Sequence, residues 1–163
     1  MPTIQPKEKV VKAKSEVSGV RVDEALMAPG KYEITSEHTF EVKIYLRTEG
    51  NRWVVVSGPG KGVDEEKVVF RMWSYDEIVS MRKAATSFDA VRRLHLVDTD
   101  LLDRLKVQKL MQSWTLDKDN PRLKVHRVND VLTDESWSRF TKLHPNIIRR
   151  ILDGMNEILE YNG

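Results

Sequence analysis

Four groups of residues in this chain have the types that do chemistry, and the spacing of each decides whether that chemistry is available. Ser57-Gly58-Pro59-Gly60-Lys61-Gly62 has the glycines and the lysine of a phosphate-binding loop. A nucleotide loop of that kind needs a hydroxyl directly after the lysine for Mg²⁺, and a helix N-terminus behind it for the phosphate. Here Gly62 follows Lys61, position 55 is valine, and the next residues read as a strand, so the loop reads as a strand connection with Lys61 as a partner contact. Asp98, Asp100 and Asp103 form a carboxylate cluster, but the glycine and distal glutamate of a calcium loop are missing. Acidic residues at a helix start gain ~0.3–1 kcal/mol each from the macrodipole, so these read as capping. His38, His95, His126 and His144 are scattered, with no His-Glu-x-x-His pair among them, and His144 before Pro145 reads as an N-cap. There is no Gly-x-Ser-x-Gly elbow, and with no cysteine there is neither a thiolate zinc site nor a cysteine nucleophile. The expectation is a chain with no catalytic residue, no metal site and no cofactor.

Charge points weakly at partners. The chain has 27 basic and 25 acidic residues, a net +2 that does not by itself demand nucleic acid. Basic residues concentrate at Arg82, Lys83, Arg92, Arg93, Arg104, Lys106, Lys109, Lys118, Arg122, Lys124 and Arg127, and six aspartates lie among them. A nucleic-acid face would clear its acidic residues, because each contacted phosphate needs a cation. The segment reads first as a solvated helix surface, with a charged protein interface and a nucleic-acid face as alternatives. No apolar run approaches the ~20 residues that span a bilayer, so no membrane partner is expected. The first fifteen residues have lysines but no apolar core, unlike a secretory signal.

The elements that position these residues follow from a change of hydrophobic period. Residues 39–47 alternate apolar and polar, with Phe40, Val42, Ile44 and Leu46 on one face; from Tyr75 onward the apolar residues recur at helical spacing. This predicts an α+β chain: an extended arm over residues 1–30, a small antiparallel, hairpin-based β module over 31–73, and a helical module over 74–163. Within the β module, strands are expected at 32–35, 39–47, 53–56 and 67–72, arranged as a meander or small open barrel. Trp53-Val54-Val55-Val56 is continuously apolar and reads as buried on both faces. Ser74 and Glu77 form a capping box, which starts a helix with Ile78, Val79 and Ala85 inward. Phe88, Val91 and Leu94 continue a helical stripe, and Leu101 to Trp114 form a further helix capped by Asp98 or Thr99. Residues 123–128 read as a short strand, Thr133 caps another helix, and Pro145 stands at the first position of the last one. Val17, Val20 and Val22 read as an edge strand in the arm, whose lysines are either a solvated terminus or a tether. The partner-binding candidates are Lys7, Lys9, Lys12, Lys14, Lys61, Arg92, Arg93 and Trp53.

The stretches Met72-Trp73-Ser74-Tyr75-Asp76-Glu77-Ile78, Lys109-Leu110-Met111-Gln112-Ser113-Trp114 and Val131-Leu132-Thr133-Asp134-Glu135-Ser136-Trp137, with Leu143-His144-Pro145-Asn146-Ile147-Ile148, resemble small tail-assembly and baseplate-associated proteins of tailed bacteriophages. The resemblance covers about the last ninety residues and brings no catalytic residues with it. It implies a non-enzymatic protein docking on other virion or assembly subunits, found in the host cytoplasm during assembly or in the virion. The alternative from another class is a nucleic-acid-binding protein using residues 82–127.

Overall fold

The computed structural model describes residues 33–35 and 37–161. Along the chain run β1 (Thr39–Glu49), β2 (Arg52–Val56), β3 (Val63–Arg71), α1 (Tyr75–Ala84), β4 (Thr86–Asp89) and β5 (Leu94–Val97). Then follow α2 (Thr99–Leu110), β6 (Met111–Trp114), β7 (Arg127–Val128), β8 (Val131–Leu132), α3 (Asp134–Thr141) and α4 (Pro145–Tyr161). The architecture is α+β. The arm, its strand at Val17, Val20 and Val22, and the candidates Lys7, Lys9, Lys12 and Lys14 lie outside the described residues.

The period-two pattern makes β1 a half-buried strand. Val42, Ile44 and Leu46 are buried, while Glu41, Lys43 and Arg47 are exposed on the other face. Gly50, at φ +65°, turns β1 into β2, and β3 pairs along the opposite edge of β1 from Arg47 opposite Val63 to Thr39 opposite Arg71. The sheet order is therefore β2-β1-β3-β6, which is not a meander. Because β2 and β3 flank β1 and run the same way, residues 57–62 must cross two strand spacings, about 10 Å. Gly62 at φ +73° ends that crossing, and the Val63 N–H donates to the Gly60 carbonyl at 3.2 Å. This order also makes β2 an edge strand. Trp53, expected to be enclosed, is 52% exposed, and Val54, Val55 and Val56 are only half-buried. β3 begins four residues before the expected Lys67, and residues 33–35 are not a strand.

The helix signals in the sequence are realised as caps. The Glu77 N–H donates to Ser74 Oγ at 3.3 Å, and the Ser74 N–H donates to Glu77 Oε1 at 3.0 Å. Asp98 accepts from the Leu101 N–H, Thr133 from the Ser136 N–H, and His144 Nδ1 from the Asn146 N–H ahead of α4. Three segments differ from the expected elements. Met111 and Trp114 are three apart, as on a helix face, yet they lie in β6. A bulge there sets Gln112 and Ser113 against Val69 alone, so both flanking side chains fall on the core side. Only Arg127 and Val128 of the expected 123–128 strand are extended, closed against β8 by Asn129 and Asp130, both at positive φ. The expected Phe88–Val91–Leu94 stripe is a β-hairpin. Val79 is also 46% exposed, the inward side of α1 being Met81, with Ala85 just beyond it.

α4 lies across β1 with Ile151, Met155 and Leu159 buried. A Cβ on Gly154 would stand 2.5 Å from Val42 Cγ1 and 3.0 Å from the Arg150 guanidinium, so only glycine permits this approach. Gly154→Ala should lower stability by about 1–2 kcal/mol, overpacking outweighing the ~1 kcal/mol gain in helix propensity. Denaturant midpoints check this, and the double variant V42A/G154A should recover part of the loss. An unchanged midpoint in the single variant would mean that α4 shifts freely on the sheet.

Candidate docking surfaces

The acid with the largest shift, Glu77, is tied up in a structural joint. Arg71, with its side chain 9% exposed at the end of β3, donates from Nη1 to Glu77 Oε1 at 2.9 Å and from Nη2 to Glu77 Oε2 at 2.8 Å. Those hydrogen bonds hold the Glu77 carboxyl down at about 2, against the opposing effect of burial, and the Ser74 N–H assists them. Arg127 donates to the carbonyls of Met111 and Lys109 at 2.6 and 3.0 Å and to Asp130 Oδ1 at 3.0 Å. A cleft of about 410 Å³ between α1, α2 and β8 is lined by Asp76, Glu77, Ser80 and Lys109. Its most perturbed acid is held bidentate on Arg71 far below neutrality, which makes it a weak base near pH 7. His38 and His126 are exposed, His95 stacks on Phe88 at 5.2 Å, and His144 is a cap. Among the described residues no group of three or more His, Asp or Glu is placed to hold a metal ion.

Six of the eleven basic residues in 82–127 have a carboxylate partner. Arg82 and Lys106 reach Glu160, Arg92 reaches Asp89, Lys109 and Arg127 reach Asp130, and Lys118 reaches Glu66 at 2.7 Å. Arg104 lies over the Trp137 ring at 5.3 Å. Burial pushes the Glu160 carboxyl up, but Lys106 and Arg82 outweigh it and leave the group below its ordinary range. No helix among the described residues is long and apolar enough to cross a membrane.

The described partner candidates fall in three places. Lys61 is exposed on the crossing loop, Trp53 on the edge strand, and Arg92 and Arg93 together on the turn between β4 and β5. That hairpin is the largest feature the sequence reading missed. Phe88, Val91, Leu94, Leu96 and Val97 are all exposed, Val91 by 93%. Thr86 pairs with Val97 and Asp89 with Leu94, so the apolar residues are spread over both faces of the ribbon. Its turn is nonetheless well built: Asp89 Oδ1 accepts from the Val91 and Arg92 N–H groups at 2.9 and 3.1 Å. The Arg93 N–H closes the loop on the Asp89 carbonyl at 2.7 Å. Arg93 itself sits at φ +59°, where a side chain costs about 1 kcal/mol relative to glycine. The available signal was Leu94-His95-Leu96-Val97, alternating and then β-branched, directly after the Arg92-Arg93 turn.

A second surface lies at the open end of the sheet. Leu46, Trp53, Leu116, Leu143 and Ile147 line a groove of about 230 Å³, with Asp64, Glu66, Asp119 and Lys118 at its rim. Glu66 is buried and satisfied, accepting from Thr115 Oγ1 at 2.6 Å and pairing with Lys118. Hydrogen bonding to Glu66 raises the Lys118 ammonium above its ordinary value. Asp64 and Asp119 are exposed, with no ion-paired cation among the described residues. No protein-family model, curated protein or solved structure matches the chain.

The Arg71–Glu77 joint makes a pH prediction. Unfolded, Glu77 titrates near 4.5, and folded near 2. A depressed folded value means that the joint contributes fully above about pH 4.5 and is lost as pH falls toward 2. Glu77→Gln should cost roughly 2–3 kcal/mol near neutrality and flatten the acid limb of stability against pH in that window. Urea titrations between pH 2 and 7 read both effects.

Proposed function

We propose that this chain is a non-enzymatic structural or assembly protein of a tailed bacteriophage, associated with the tail or baseplate, acting by docking on other virion or assembly subunits. The observation that carries the docking reading is the β4–β5 ribbon. Two strands alone are marginal in water, and apolar side chains on both faces of such a ribbon are an unusual surface for a solvated protein. An exposed aromatic and aliphatic centre with arginines beside it has the composition of an interface core. The ribbon is anchored to a rigid base, the Asp98 N–H donating to the Ala85 carbonyl at 2.8 Å beneath it. The class of particle comes from the sequence resemblance in the last ninety residues. The protein then works in the host cytoplasm during assembly or in the virion.

Phe88→Ser combined with Val91→Ser should leave far-UV circular dichroism and the melting temperature essentially unchanged. The same double variant should lower co-purification with tail and baseplate subunits by about tenfold or more. Undiminished co-purification removes the hairpin from the docking mechanism. Duplex DNA binding that falls steeply with salt and is abolished by R92A/R93A would instead favour the nucleic-acid alternative.

A further inference from the structure

The hairpin tip and the sheet-end groove are complementary. The tip offers an aliphatic side chain, Val91, flanked by Arg92 and Arg93; Arg93 has no carboxylate partner among the described residues. The groove offers an apolar floor, Trp53, Leu116, Leu143 and Ile147, beneath three carboxylates and one ammonium, of which Asp64 and Asp119 remain free of ion pairs among the described residues. Apolar side chain meets apolar floor, and a tip with two arginines, one of them paired to Asp89, meets a rim whose three carboxylates outnumber its one ammonium, Lys118.

The two surfaces stand at opposite ends of α4. Ile147, in its first turn, lines the groove, and Glu160, in its last turn, holds Arg82 and Lys106 beside the base of the hairpin. Thirteen helical residues separate them, about 20 Å. Four-residue strands and a turn reach roughly 15 Å, so the tip does not fill the groove of its own chain. The occupant with matching shape and charge is a second copy.

We infer that the chain self-associates head to tail, the β4–β5 tip of one copy seated in the Trp53–Ile147 groove of the next, with Arg92 and Arg93 against Asp64 and Asp119. This deepens the docking reading by naming one partner, and it rests on that reading. A heterologous contact of this kind closes into a ring or continues as a filament, according to the rotation between copies.

The test is charge reversal on the full chain, read by sedimentation velocity over a micromolar to sub-millimolar range. Wild-type mass should rise with concentration and fall with added salt. The tip variant R92E/R93E and the groove variant D64K/D119K should each associate at least roughly a hundredfold more weakly. Mixed together they should regain association, because the acidic tip of one meets the basic groove of the other. Folding of each variant is checked by circular dichroism, and recovery in the mixture excludes a merely unfolded variant. A wild type that stays monomeric throughout overturns the inference. So does a groove variant that still associates while the tip variant does not, which would mean contact between hairpins. In either case loss of subunit capture by F88S/V91S would leave the docking reading standing.

Discussion

A guanidinium at the end of β3 is the constraint on which the rest of the structure depends. Arg71 is too buried to be solvated, so folding must deliver partners to it from several elements at once. Glu77 supplies a bidentate carboxylate from the first turn of α1, Met72 a carbonyl at 3.1 Å, and Asp130 a second carboxylate at 3.5 Å from the β7–β8 turn. Arg127 then takes the Lys109 and Met111 carbonyls where α2 passes into β6. The same carboxylate that pairs with Arg71 also closes the capping box, so the start of α1 and the end of β3 are fixed by one group. One Arg71 donor, Nε, has no partner among the described residues, which leaves the remaining contacts to offset its burial.

The far side of the molecule is held by a second cation. Lys106, with its side chain 3% exposed, donates to Asn156 and Glu160 at 2.7 and 2.9 Å and lies over the Trp73 ring at 5.1 Å. Glu160 in turn receives Arg82 from the last turn of α1, which binds α1, α2 and α4 together directly beneath the hairpin. Close packing of Gly154 on Val42 fixes the height of α4 above the sheet. The hairpin therefore projects from a base tied together by these contacts, which would lower the ordering cost of the proposed docking.

What was legible in the sequence was what short-range physics decides. β1 announced itself by alternation, and Ser74, Asp98, Thr133 and His144 announced helix starts because their side chains satisfy free N–H groups within three residues. Strand order was not legible: Gly50 makes the β1–β2 turn visible, but nothing local states that β3 passes to the far edge of β1. Met111 and Trp114 read as helical because a bulge gives two residues three apart a common side, as a helix turn does. Phe88, Val91 and Leu94 misled for a different reason. Apolar residues at spacing three match one face of a helix, whereas here they sit exposed on a β-hairpin and its turn. Arg92, Arg93 and Trp53 were picked out by type, yet their grouping into a basic apolar tip and an acidic apolar groove exists only once the chain has folded.

The hairpin turn shows how such a surface stays specific. A flat apolar ribbon with unpaired edges pairs readily with any strand, and proteins suppress this with charge and with bends. Asp89 bends the turn through two backbone hydrogen bonds, and Arg93 is accommodated in a left-handed conformation that glycine would adopt with less cost. An arginine there places its charge at the apex, next to Val91, the most exposed valine among the described residues. Two adjacent guanidiniums repel another copy of the same tip while attracting a carboxylate-rimmed surface. In the proposed docking, apolar area would set how strongly the ribbon holds and the arginines which surface it holds.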